Sequence, residues 1–142
     1  MAIKFFTQDI TIKLDQKKKL KDFIAKVVTE RNRTLGSLNY IFCSDEYLLE
    51  INRAYLQHDY YTDIITFEFP VHQNEVAGEI YISVERVAEN ALSYDVSFRQ
   101  ELHRVIFHGV LHLLGFKDKL KAEKLAMTNE EDRLLKLYFD KN

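Results

Sequence analysis

Two histidines stand four residues apart in "FHGVLHLLGFKDK", Phe107 to Lys119, ahead of a glycine and an aspartate set between two lysines. On an α-helix, residues four apart lie about 40° from each other around the axis. His108 and His112 then share a face and could chelate one divalent ion. His103 falls about 140° from His108 and about 180° from His112, which excludes it as a co-ligand. A bare HxxxH equally fits two partly buried histidines with hydrogen-bond partners. Two glycines argue for the metal. Gly109 costs roughly 1 kcal/mol of helix stability relative to Ala, so something must approach closely beside the first histidine. Gly115 sits where a helix-terminating glycine belongs. The chain that turns back after it carries Asp118, the nearest side chain suited to complete the site; Lys117 and Lys119 are poor ligands while protonated. Two histidines, one carboxylate and an open position describe a catalytic site, not a closed structural one. Gly109, Val110 and Leu111 separate the histidines. No carboxylate stands where an HExxH protease has its general base, which argues against proteolysis by that route.

These residues need a helix beneath them, and periodicity supplies one. Ser97 to Gly115 reads as helical, with Ser97 as N-cap, Gln100 or Glu101 as its capping-box partner, and Leu102, Ile106, Val110 and Leu113 as the packing face. Upstream, "IKFFTQDITIKL" reads as extended. Asp15 is placed to cap a helix to about Arg33, with Leu20, Phe23, Ile24, Val27 and Val28 on one face. "SLNYIFCS" alternates as a strand, and Ser44 or Asp45 opens a helix through Tyr55 or Leu56. "DIITFEFP" and "GEIYISV" are strands joined by a polar segment, so a hairpin is expected. "SVERVAENALSYD" is helical, and a last helix covers roughly Met127 to Phe139. Strands come early and helices dominate late. The expectation is an α+β fold: a small mixed β-sheet packed with several α-helices, with the metal site at the end of a long helix in the C-terminal half.

With 142 residues the chain suits one domain, 1–142. Apolar residues make up 46% and charged residues 30%, ordinary for a soluble globular protein. No apolar run reaches the roughly 18 residues of a membrane span, and the N-terminus shows no signal-peptide core. One cysteine, Cys43, has no partner within the chain. A cytoplasmic location without membrane attachment is expected. Net charge is −2, which does not by itself point to nucleic acid. Lysines do cluster, at Lys13, Lys17, Lys18, Lys19 and Lys21 and again at Lys117, Lys119, Lys121 and Lys124. Each cluster reads either as a solvated helix face or as a patch that contacts phosphates.

Three blocks together resemble the YbeY family, bacterial metal-dependent endoribonucleases of ribosomal RNA maturation. "HGVLHLLGF" is similar to the family's HGxLHLxGY. "INRAYLQHDYYTDIITFEF" matches a second block at Asn52, Tyr55, Thr62, Asp63 and Phe67. "AGEIYIS" matches a third at Gly78, Glu79 and Ile80. The resemblance spans roughly residues 38 to 135. It implies a single α+β domain, a divalent metal, and cleavage of single-stranded ribosomal RNA at the 3′ end of the small-subunit rRNA. Ribosomal RNA or ribosomal particles would be the partners.

The family holds its metal with three histidines. Here His108 and His112 fill two positions and Asp118 stands at the third, and zinc is the ion expected. The family arginine associated with cleavage falls at Leu56, with Arg53 one turn back. Arg53, Thr62 and Asp63 are the candidate substrate-binding residues, and no catalytic residue is assigned. For "DYYTDIITF", a strand entered through a turn, with Asp63 satisfying backbone amides, is an equal alternative. Two other functions stay open: a non-catalytic ribosome-associated maturation factor with a structural metal, and a metal hydrolase of small substrates. The family resemblance and the missing glutamate beside the metal argue against the latter.

Overall fold

β-Branched and aromatic residues concentrate in four short runs, and these form one four-stranded sheet. The computed structural model describes residues 2–140, so Met1, Lys141 and Asn142 of the expected 1–142 span lie outside the described residues. The strands are β1 (Ile3–Thr7), β2 (Thr34–Cys43), β3 (Ile64–Glu68) and β4 (Glu75–Ser83), in the order β1-β2-β4-β3. β1 and β4 each pair with β2 in parallel, and β3 pairs with β4 antiparallel. The sheet is mixed, as expected, and the β3–β4 hairpin is present. Five helices complete the fold: α1 (Lys17–Thr29), α2 (Asp45–Leu56), α3 (Val84–Tyr94), α4 (Phe98–Leu113) and α5 (Lys121–Phe139).

Several boundaries differ from the sequence reading. The first extended run stops at Thr7 because Asp9 takes a left-handed backbone, φ 54°. Its carboxylate accepts hydrogen bonds from the Ser44 N–H (3.1 Å) and hydroxyl (2.6 Å), tying this turn to the start of α2. Asp15 does not cap α1. Gln16 occupies that position in a left-handed conformation without a side-chain cap, while Asp15 pairs with Arg99 at 3.3 Å. α1 ends at Thr29 instead of Arg33, because β2 begins at Thr34, whose N–H donates to the Asn74 carbonyl at 2.8 Å. β4 starts three residues before Gly78, and α5 starts six residues before Met127. Ser44, Ser83 and Ser97 cap α2, α3 and α4 through their hydroxyls. For Ser97 the acceptor role toward the Gln100 N–H is present, but Glu101 points elsewhere.

α4 is the central helix. Leu102, Ile106, Val110 and Leu113 are buried as its periodicity requires, and so are Val105, Phe107 and Leu111. Burial therefore extends well beyond the expected face. From Glu101 onward, only Arg104, His108 and His112 are half-buried, a stripe at i, i+4, i+8. Tyr40 of β2, fully buried, donates its hydroxyl hydrogen to the Ile106 carbonyl at 2.8 Å and fixes α4 over the sheet. Gly109 explains how close that packing is. A Cβ there would stand 2.8 Å from Ile80 Cγ2, 2.9 Å from Ile80 Cδ1 and 3.2 Å from Ile64 Cδ1. What approaches this glycine is the sheet.

Candidate metal centre

α4 ends in a turn that builds the site. Gly115 has φ +106°, a left-handed conformation that favours glycine. Its N–H donates to the His112 carbonyl (3.0 Å) and the Phe116 N–H donates to the Leu111 carbonyl (3.0 Å). These are the two bonds of a Schellman C-terminal motif. The reversal returns Phe116 and Asp118 to the last turn of the helix. The Phe116 carbonyl lies 3.0 Å from His112 Nδ1. Asp118 Oδ2 lies 3.3 Å from His112 Nε2 and 3.4 Å from His108 Nε2. One donor atom from each of the three residues falls within 4.8 Å of the others.

Both imidazoles are oriented by acceptors. A carbonyl cannot donate, so His112 carries its hydrogen on Nδ1 and a neutral ring presents a bare Nε2. His108 Nδ1 lies 2.5 Å from Glu131 Oε2, and a hydrogen on Nδ1 donated to that oxygen gives the same tautomer. Glu131 is 6% exposed, and its other oxygen accepts from Arg104 Nη1 at 2.8 Å. Arg104 is in turn held by Asp132 at 2.5 Å. Burial alone would lower the His108 pKa. The Glu131 hydrogen bond and charge outweigh it, with the charges of Asp118 and Asp63, and hold it above the usual value. The pocket is thus electronegative where the two Nε2 atoms point.

This donor set fits a divalent cation. Donors about 2.1 Å from a four-coordinate ion stand about 3.4 Å apart, the spacing seen between Asp118 Oδ2 and both Nε2 atoms. Imidazoles oriented through Nδ1 by a carboxylate or carbonyl are the usual outer support of such ions. The ligand atoms open into a cavity of about 460 Å³, also lined by Thr62, Asp63, Glu101, Lys124 and Thr128.

The expected substrate residues divide. Thr62 and Asp63 line this cavity. Burial pushes the Asp63 carboxyl up, against the opposing effect of His108. Its Oδ2 accepts from Asn90 Nδ2 at 3.4 Å, while its own carbonyl accepts the Ser83 N–H at 2.9 Å. Arg53 is not part of the lining. It is exposed on α2 and paired with Asp59 (2.5 Å) and Glu50 (3.3 Å). Leu56, where the family motif has arginine, is 40% exposed at the end of α2 and does not line the cavity either. His103 stays apart as expected, buried, with Nδ1 donating to the Arg99 carbonyl at 2.7 Å.

Glu131, Arg104 and Glu101 were not legible as site residues from the histidine motif. Glu131 did carry a signal. It follows Met127 by four and precedes Leu134 and Leu135 on the buried stripe of α5, and a carboxylate inside an apolar stripe requires a partner.

Comparison with known proteins gives the family of the chain. A family profile described as Endoribonuclease YbeY matches residues 2–138. A protein named Endoribonuclease YbeY from Flavobacterium psychrophilum is 45% identical over 133 residues, covering 94% of both chains. Its namesake from Parabacteroides distasonis is 44% identical over 135 residues, covering 95% of this chain and 94% of that one. One from Amoebophilus asiaticus is 47% identical over 129 residues, covering 91% and 88%. The solution structure of TM1509 from Thermotoga maritima has a TM-score of 0.63 at 23% identity, covering 97% of this chain and 89% of that one, a likeness of fold.

Proposed function

The chain belongs to the YbeY family, and on that premise we propose that it is a metal-dependent endoribonuclease. It cleaves single-stranded segments of ribosomal RNA, notably toward the 3′ end of the small-subunit rRNA, as a single domain acting on ribosomal particles in the cytoplasm. The convergence of His108 Nε2, His112 Nε2 and Asp118 Oδ2 on one point beside an open cavity carries the reading. Among the described residues, no helix is long and apolar enough to cross a membrane.

His108, His112 and Asp118 would hold the ion, and zinc suits a set of two imidazoles and one carboxylate. When bound, such an ion supplies a Lewis acid for a phosphoryl oxygen and lowers the pKa of water to about 7. The protein does the rest. Glu131 and the Phe116 carbonyl keep both Nδ1 atoms protonated, so both Nε2 lone pairs stay aimed at one point. Lys124, exposed and lining the cavity, offers its ammonium to a phosphate. Thr62 and Asp63 meet the strand inside the cavity. Arg53 would have to leave Glu50 and Asp59 to reach it.

The test is cleavage of structured ribosomal RNA by the purified protein, with and without chelator, beside a His112→Ala variant. Cleavage lost under both treatments is expected. Cleavage untouched by either would remove the metal from the mechanism. Metal retained without any cleavage would favour a non-catalytic maturation factor.

A further inference from the structure

The cavity contains one carboxylate that no donor among the described residues satisfies. Glu101 is 4% exposed and lines the cavity, on the first turn of α4. Among the described residues no hydrogen bond or ion pair reaches its side chain. The nearest candidate cation, Arg104, is committed to Glu131 and Asp132. Glu131 is satisfied by His108 and Arg104, and Asp63 has Asn90. The Glu101 oxygens reach the cavity, so a strand that displaces solvent there must supply a donor or bear the cost of an unpaired carboxylate. Consistent with that cost, burial holds the Glu101 carboxyl above the usual range, and the Arg104 charge offsets it only in part.

We propose that Glu101 is a specificity-determining residue that accepts a hydrogen bond donated by the substrate strand, from a ribose 2′-hydroxyl or a base amino group. This rests on the endoribonuclease reading above. Phosphate oxygens at neutral pH accept and carry negative charge, so Glu101 repels them. The donors on a single RNA strand are its 2′-hydroxyls and the amino and imino groups of its bases. Glu101 lies seven residues before His108, about 10 Å along the helix axis. The group it meets therefore belongs to a nucleotide neighbouring the phosphate at the metal ligands. A 2′-hydroxyl partner would make Glu101 a point at which RNA is told from DNA.

The experiment measures binding and cleavage of a short single-stranded oligoribonucleotide by metal-loaded wild type, Glu101→Gln and Glu101→Ala. Two substrate series probe the two donors: single 2′-deoxy substitutions at each position, and single replacements of guanosine by inosine or adenosine by purine riboside. Melting temperature and metal content establish that each variant is folded and loaded. In wild type, one substitution is expected to weaken binding or kcat/KM roughly tenfold to a hundredfold. Glu101→Ala should weaken the unsubstituted strand by the same factor and be indifferent to that substitution. Glu101→Gln, which keeps an acceptor without the charge, should fall between. The series in which the penalty appears identifies the donor. A folded Glu101→Ala that keeps every wild-type penalty would overturn the proposal while leaving the endoribonuclease reading intact. So would a wild type indifferent to every substitution. A protein that binds the strand and shows the Glu101-dependent penalty but cuts no RNA would uphold this contact and remove the endoribonuclease reading. A wild type that neither binds nor cuts would remove both.

Discussion

Glu131, 23 residues downstream of His108 and on a different helix, places a carboxylate oxygen 2.5 Å from His108 Nδ1. α5 thereby supports the candidate metal centre, although none of the three candidate ligands lies on it. A histidine free to rotate or to change tautomer would present Nε2 to the ion only part of the time; this contact removes both freedoms. Glu131→Ala should weaken binding of a divalent ion about tenfold to a hundredfold, and Glu131→Gln, which still accepts through its carbonyl oxygen, should weaken it less. Competition against a chromophoric chelator reads both values. Affinity unchanged in Glu131→Ala would assign the contact to folding alone.

Gly109 separates helix propensity from packing. Alanine gains up to about 1 kcal/mol in an isolated helix. Here its Cβ would press on Ile80 and Ile64 at 2.8 to 3.2 Å, an overpacking that costs roughly 1–3 kcal/mol. Gly109→Ala should therefore destabilise the protein on balance, read as a lower urea midpoint. A stabilised variant would mean that α4 shifts off the sheet at little cost.

Gly115 poses the opposite case. Nothing lies within 4 Å of a Cβ built there, and the φ of +106° is the only obstacle. Gly115→Ala should cost about 1–3 kcal/mol in backbone strain. It should also weaken metal binding, because the same turn delivers Asp118. Calorimetric titration with zinc beside thermal melting reads both. A variant with lowered stability and wild-type affinity would uncouple the turn from the site.

His103 makes stability depend on pH. Burial lowers its pKa, with the Arg99 carbonyl bond opposing in part. The unfolded histidine titrates near about 6.5. Above that value neither state is charged and the residue contributes no pH dependence. As pH falls below it, the unfolded chain takes up a proton that the folded chain does not, and stability declines until the folded pKa is reached. Urea midpoints at pH 7.5 and 5.5, with chelator present, should drop less in His103→Gln than in wild type. An equal drop in both proteins would place the dependence on other groups.

The chain declared its central helix and its hairpin plainly, and the reasons are physical. α4 carries a serine cap, a terminal glycine and dense apolar periodicity, and β3 and β4 are runs of isoleucine, phenylalanine and tyrosine around polar residues. The beginning of α5 was hidden because Lys121 to Ala126 has little apolar period and Leu120 precedes it where a capping side chain is expected. Glu123 supplies the cap from within the helix, accepting the Leu120 N–H at 2.9 Å. The pairing of Asp118 with the two histidines was legible because all three lie within one turn and its return. The Glu131 contact was not, since it depends on how two helices pack. Arg53 is a candidate because it lies one turn before Leu56, where the family motif has arginine; its pairing with Glu50 and Asp59 depends on side-chain packing that the motif does not carry.

The most direct measurement is the metal content per chain of purified wild type and of Asp118→Ala, by elemental analysis, with circular dichroism to establish that both are folded. One divalent ion per wild-type chain and a sharply lower content in the variant are expected if His108, His112 and Asp118 form the site. Full occupancy in a folded Asp118→Ala would contradict it.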